Sequence, residues 1–307
     1  MAEVKLTYAR YGKDKVRVFR IVRGPTHHDV VEYTVCATLE GDIDVSYTQA
    51  DNTVVIATDS CKNTVNVFAK KSAHVLSPEL FALELGIHFV TKYAHIHKAH
   101  IDIIQHKWTR INVTETGKAH PHSFVRDGDD KRLIGVIVDA TKGTDAISAT
   151  VKSGITDMLV LKSSGSAFEN FYTDEYRTLP DVSDRILSTS VDCSYTITLP
   201  PQPLTLTRLD KLGIDFAAIA TSVRNTTLDT FATDQSASVQ ATLYNMCKKI
   251  ISDNKEVYDV SYKLPNKHYH AVNLDFMGLP NLKPAEAEVF QPVESPSGLI
   301  MATVTRA

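Results

Sequence analysis

Read for periodicity alone, this chain gives the same order of elements twice: two strands, two helices, two strands. Val16–Val22 and Val30–Val35 predict strands on either side of a Gly24-Pro25 turn. Residues 58 to about 70 predict a helix. Ser77-Pro78-Glu79 opens another, with serine at the cap, proline in the first helical position and an acid in the first turn. Leu80, Phe81, Leu83, Leu85, Ile87 and Phe89 make that helix apolar over much of its circumference. Strands follow around 99–114 and 122–139, with Gly117 and Pro121 between them. The second half predicts strands around 155–162 and 185–198, helices around 210–231 and 237–252, and strands around 257–274 and 299–305. The order repeats without a residue-level repeat. It implies an α+β chain of two antiparallel sheets, each with helices on one face. Open sheet edges need cover, which symmetric oligomerisation can supply.

Composition narrows the function classes. A chain of 307 residues with 43% hydrophobic content has room for about two domains. A net charge of −3, with no long basic run, argues against nucleic acid as a partner. No apolar run reaches the length of about 18 residues that a membrane span needs. Cys36, Cys61, Cys193 and Cys247 lack C-x-x-C spacing, which fits reduced thiols better than a disulfide framework or a zinc clip.

One local pattern points to a site. Tyr258, Val260, Tyr262 and Leu264 form the apolar face of a strand. Carried past Pro265, the same face presents Asn266, His268 and His270 before Val272 and Leu274. A bulge at Pro265 would reset this parity. An amide and an imidazole on a buried face need partners from protein, water or ligand.

Other residues each carry two readings. Thr58 and Asp59 open a helix, where they either cap it or help its free N–H groups hold an anion. Lys13 is either a solvated charge or, desolvated at such a terminus, a base. Arg185 either pairs with Asp184 or Asp181, or offers its planar fork to a planar anion. Ser238-Val239-Gln240 either caps a helix or holds a heterocycle edge. Phe168, in the 163–168 loop, either packs or stacks on a ring. His95, His97, His100 and His106 are the densest histidine region and raise the question of a metal.

Taken together these segments resemble the urate oxidases, in particular the fungal branch. The resemblance rests on Tyr11-Gly12-Lys13, Ala57-Thr58-Asp59-Ser60 with Lys62-Asn63-Thr64, and His120-Pro121-His122-Ser123-Phe124. It continues through Val160-Leu161-Lys162-Ser163, Asp184-Arg185-Ile186-Leu187-Ser188-Thr189, Ser238-Val239-Gln240-Ala241-Thr242 and Leu264-Pro265-Asn266-Lys267-His268-Tyr269. It implies two tandem tunnelling-fold modules, 1–144 and 145–307, and a homotetrameric barrel around a central tunnel with active sites between subunits. The implied reaction is oxidation of urate by dioxygen to 5-hydroxyisourate and hydrogen peroxide, with no metal or organic cofactor. By the same resemblance Arg185 and Gln240 grip the purine and Phe168 stacks on it. Thr58 meets the remaining edge with the N–H groups of Asp59 and Val239. Lys13, Thr58 and His268 relay protons, and Asn266 holds dioxygen or water.

The chain departs from the family pattern in places. Trp108 is its only tryptophan, where many members carry one near Val191–Ile197, and His270 stands where phenylalanine is common. Eukaryotic relatives are usually peroxisomal, but the ending Thr303–Ala307 is not a serine-lysine-leucine address, leaving the cytoplasm as the other expectation. Two rival readings are a metal-dependent enzyme of the same fold class using the His95–His106 region, and a non-catalytic purine-binding oligomer.

Overall fold

The repeated order of elements is present in the computed structural model, which describes residues 2–283 and 286–307. In chain order the elements are β1 (Tyr11–Arg23), β2 (His28–Gly41), α1 (Asp44–Thr48), α2 (Thr58–Lys71), α3 (Pro78–Lys92), β3 (Ile96–His106), β4 (Thr109–Val113), β5 (Lys118–Val125), β6 (Lys131–Asp139), β7 (Ile147–Lys162), β8 (Leu187–Gln202), α4 (Phe216–Thr233), α5 (Val239–Asp253), β9 (Asp259–Ala271) and β10 (Phe290–Thr305). The chain is α+β, with antiparallel pairing of β1 with β2, β2 with β3, β3 with β6, and β9 with β10.

The two strands predicted around 99–114 and 122–139 are each divided. β3 stops at His106 and β6 starts at Lys131, while β4 and β5 pair with each other as a separate hairpin. Arg110 ties that hairpin down: its guanidinium donates to the carbonyls of His120, Pro121 and His28 and pairs with Asp29 at 2.8 Å. Strand propensity runs on through the break, so periodicity did not reveal it.

The chain divides into two compact units, residues 1–154 with 196–218, and residues 155–195 with 219–307. In the first, strand order runs β1-β2-β3-β6 and on to β7, with β1 at the edge. Alternate residues of β2 (Tyr33, Val35, Ala37, Leu39) and of β3 (Ala99, Ile101, Ile103) are buried, as a sheet with one covered face requires. α3 packs there closely enough that a Cβ on Gly86 would lie 2.5 Å from Val138 Cγ2. Glu79, the first-turn acid of α3, is fully buried. It pairs with Arg132 and accepts a 2.6 Å hydrogen bond from the Ser153 hydroxyl.

In the second unit β8, β9 and β10 lie in that order, with β10 at the edge. Its core joins Val191 and Cys193 of β8 and Val260, Tyr262 and Leu264 of β9 to Val223 of α4 and Leu243, Met246, Cys247 and Ile250 of α5. Each such aliphatic side chain contributes about 1.5–3 kcal/mol on burial. Tyr262 brings a polar tip into this core and satisfies it with the Thr227 hydroxyl at 2.5 Å.

Candidate active site

The candidate residues fall into two groups, one in each unit. Lys13, Thr58 and Asp59 make the first. Gly12 lets β1 lie against β2 where a Cβ would come within 1.9 Å of the Ala37 carbonyl oxygen. The register then slips between Lys13 and Val16, with Lys15 in the left-handed region at φ 56°. Such a bulge re-aims the side chain beside it. Lys13 is directed toward the start of α2, where its charge helps hold the Asp59 carboxyl below its ordinary range. The main cause of that shift is Lys62, whose ammonium lies 2.5 Å from Asp59 Oδ1.

Capping does not account for Thr58 or Asp59. The cap position belongs to Ala57, and no side chain caps the helix. Thr58 is therefore the first helical residue, its N–H is among those a helix leaves unpaired, and its side chain is exposed.

Phe168, Arg185, Val239, Gln240, Asn266 and His268 belong to the second unit. The Phe168 loop is built around Asp184, which accepts hydrogen bonds at 2.7 Å from the Ser164 hydroxyl and from the Gly165 N–H. Asp181 is engaged with the Asn170 N–H and with Arg177. Neither acid pairs with Arg185, so the salt-bridge reading fails. The Arg185 guanidinium instead lies over the Phe168 ring, 4.9 Å from its centroid. Its Nε is buried and has no hydrogen-bond partner among the described residues. Burial lowers its pKa from an arginine's ordinary value. The Phe168 ring is itself backed by Phe171, at 4.5 Å and nearly parallel.

Ser238 caps α5 by accepting from the Ala241 N–H at 3.1 Å, as one reading of that motif expected. This leaves Val239 as the first helical residue, with Gln240 exposed beside it. On β9 the expected parity holds from Val260 to Asn266: Val260, Tyr262, Leu264 and Asn266 are all buried, while Tyr258 before them is exposed. No bulge forms at Pro265. The irregularity lies in the partner strand, where Gly298 pairs with Asn266, Val293 pairs with His268, and residues 294–297 loop out between. That gap opens the ladder beside the amide and the imidazole. Burial holds His268 below an imidazole's ordinary pKa, and the nearby charges of His270 and Arg185 add to this. His268 is thus neutral near pH 7, fit to accept a proton.

The histidines of the metal reading are not brought together. His97 meets Asp42 at 3.0 Å, His100 meets Glu40 at 2.5 Å, and His106 meets the Thr34 hydroxyl at 2.9 Å. Among the described residues no group of three or more His, Cys, Asp or Glu side chains is placed to hold a metal ion.

Within the second unit, a partly desolvated cation beside an aromatic face, the N-terminus of α5 and a neutral imidazole suit a planar anion that must lose and gain protons. The family model described as Uricase matches residues 9–137 and 151–301. A uricase of Emericella nidulans is 47% identical over 304 residues, covering 97% of this chain and 96% of its own length. A uricase of Aspergillus flavus is 45% identical over 305 residues at the same coverages. The crystal structure of uricase from Arthrobacter globiformis matches with a TM-score of 0.85 at 32% identity, covering 99% of this chain and 96% of that one.

Proposed function

This chain belongs to the uricase family, and we propose that its urate site is completed between copies of the chain, by the Lys13 group of one and the Arg185 group of another. The activity is urate oxidation, an oxidoreductase reaction. In our reading urate, dioxygen and water give 5-hydroxyisourate and hydrogen peroxide. The urate anion itself supplies the two electrons, so the protein's task is to place the ring and time the protons.

The observation that carries the site assignment is Arg185, half-buried over the Phe168 ring with its Nε buried and no carboxylate paired to it among the described residues. A protein leaves such a fork unpaired at a cost unless an anion fills it. The fork holds one edge of urate and the Gln240 amide holds another, while Phe168 fixes the ring out of plane. Thr58, with the N–H groups of Asp59 and Val239, meets the remaining edge. Lys13 and Thr58 take the substrate proton and pass it toward His268, which delivers it to the peroxide and activates water. Asn266, facing the gap in β10, holds dioxygen and then water above the ring.

The sheet edges support an oligomer. β1 and β10 each end a strand order, and β10 exposes Leu299 and Met301. Unpaired edges of this kind call for a partner. Residues 1–144 and 145–307 each carry two long helices, α2 with α3 and α4 with α5, flanked by pairs of sheet strands, which supports tandem modules assembling as a homotetrameric barrel around a tunnel.

The test follows loss of urate ultraviolet absorbance together with oxygen uptake and peroxide release. Lys13→Met and Thr58→Ala should lower turnover far more than they weaken anaerobic urate binding. Equal losses in both would show that these residues chiefly bind.

A further inference from the structure

We propose that Lys162, which touches no substrate in this reading, is a positioning residue for urate: its ammonium, through Ser236, joins the Phe168 loop to the start of α5. The proposal rests on the site assignment above.

Lys162 is the last residue of β7, and the Phe168 loop begins directly after it. Its Nζ donates to the Asp234 carbonyl at 2.6 Å, just past the last residue of α4, and to Ser236 Oγ at 2.9 Å. It also lies 5.6 Å from the Phe231 ring centroid. A cation at a helix C-terminus complements the carbonyls left unpaired there.

Ser236 is the joint. It is almost fully buried. Its N–H donates to the Gly165 carbonyl at 3.1 Å, and its carbonyl accepts from the Ala167 N–H at 2.9 Å. Between those two residues, the Ser166 carbonyl accepts from the Arg185 N–H at 2.8 Å. Two residues beyond Ser236, Ser238 caps α5 and sets Val239 and Gln240. The Phe168 loop therefore meets the lead-in to α5 at Ser236, and the same loop holds the Arg185 backbone at Ser166. On the α5 side, the Thr242 hydroxyl lies 2.8 Å from Ser236 Oγ and 2.6 Å from Asp234 Oδ2. Lys162 is the donor from the β7 side, and it approaches both Asp234 and Ser236.

Without that ammonium the backbone bonds survive, but the spacing between the aromatic face and the amide edge is no longer set by a charge-assisted contact. The joint sets residues assigned to hold the ring, Phe168 and Gln240, and none assigned to move protons, so its loss is expected first in binding. The experiment is steady-state kinetics and anaerobic urate binding on Lys162→Met and Ser236→Ala, with folding checked by circular dichroism. The expected result is a KM and an anaerobic Kd raised about tenfold in Lys162→Met, and raised in the same direction in Ser236→Ala, with kcat within about twofold of the parent. A folded variant with unchanged KM and Kd, even one that melts earlier, overturns the proposal, as does a fall in kcat alone. If Lys162→Met does not fold, Ser236→Ala decides. Failure of the underlying reading looks different, because Arg185→Gln would then bind urate as well as the parent.

Discussion

Arg185 sets its guanidinium carbon 4.9 Å from the centre of the Phe168 ring, and the two acids nearest in sequence, Asp184 and Asp181, are both committed elsewhere. The pair forms a corner with one charged wall and one aromatic wall.

Removing the fork should therefore act on binding. Arg185→Gln is expected to weaken anaerobic urate binding by about 30-fold or more, equivalent to about 2 kcal/mol. Arg185→Lys should not restore it, since an ammonium cannot hold a planar edge at two points. Titration of the anaerobic protein with urate checks both variants, and parental affinity in either would remove Arg185 from the site.

The His268 imidazole gives a pH prediction with a definite sign. Burial, His270 and Arg185 all press its pKa below the ordinary value, so the neutral base persists into mildly acidic solution. Activity should fall on the acid side as His268 gains its proton. His270→Gln removes one of the opposing charges, so the His268 pKa rises and the acid limb of kcat moves to higher pH. The pH–rate profiles of parent and variant decide this, and an acid limb that stays in place or moves to lower pH would contradict it.

Glu79 is a stability residue. Glu79→Ala leaves Arg132 and the buried Ser153 hydroxyl without their carboxylate. Breaking a buried pair from one side costs about 3–5 kcal/mol. A clearly lowered thermal midpoint is expected by differential scanning calorimetry, and an unchanged midpoint would show that the pair is not needed for stability.

The thiols should be quiet. Cys61, Cys193 and Cys247 are buried, and the half-buried Cys36 is pushed up to about 11, chiefly by burial. Burial pushes Cys193 and Cys247 up to about 12. At pH 8 a thiol-specific disulfide reagent should react slowly with native protein and fully with all four cysteines after denaturation. Rapid labelling of native protein would contradict this burial.

Much of the fold was legible because its signals are local. Periodicity located the paired helices, and the cap at Ser238 and the proline at Pro78 marked two helix starts. Alternation carried Asn266 onto the buried face of β9. What escaped is non-local. The β4–β5 hairpin is separated by Arg110 reaching across to His28 and Asp29. Glu79 reads as an ordinary first-turn acid until Arg132, far along the chain, folds against it. The loop-out of residues 294–297 lies opposite the motif it serves. For the site, the sequence supplied residue types and a family resemblance, but the unpaired state of Arg185 required knowing where Asp181 and Asp184 go. The Lys162–Ser236 joint left no signal, because a lysine followed by serines in a loop looks like solvated surface.

The central claim is that the Lys13 group and the Arg185 group of different chains make one working site. Hybrid oligomers of Lys13→Met and Arg185→Gln chains, co-expressed with distinct tags and purified through both, test it most directly. A site shared between chains predicts that equal mixing restores about a quarter of parental activity, because one site in about four then receives both intact groups. Hybrids no more active than the two variants alone would contradict the shared site.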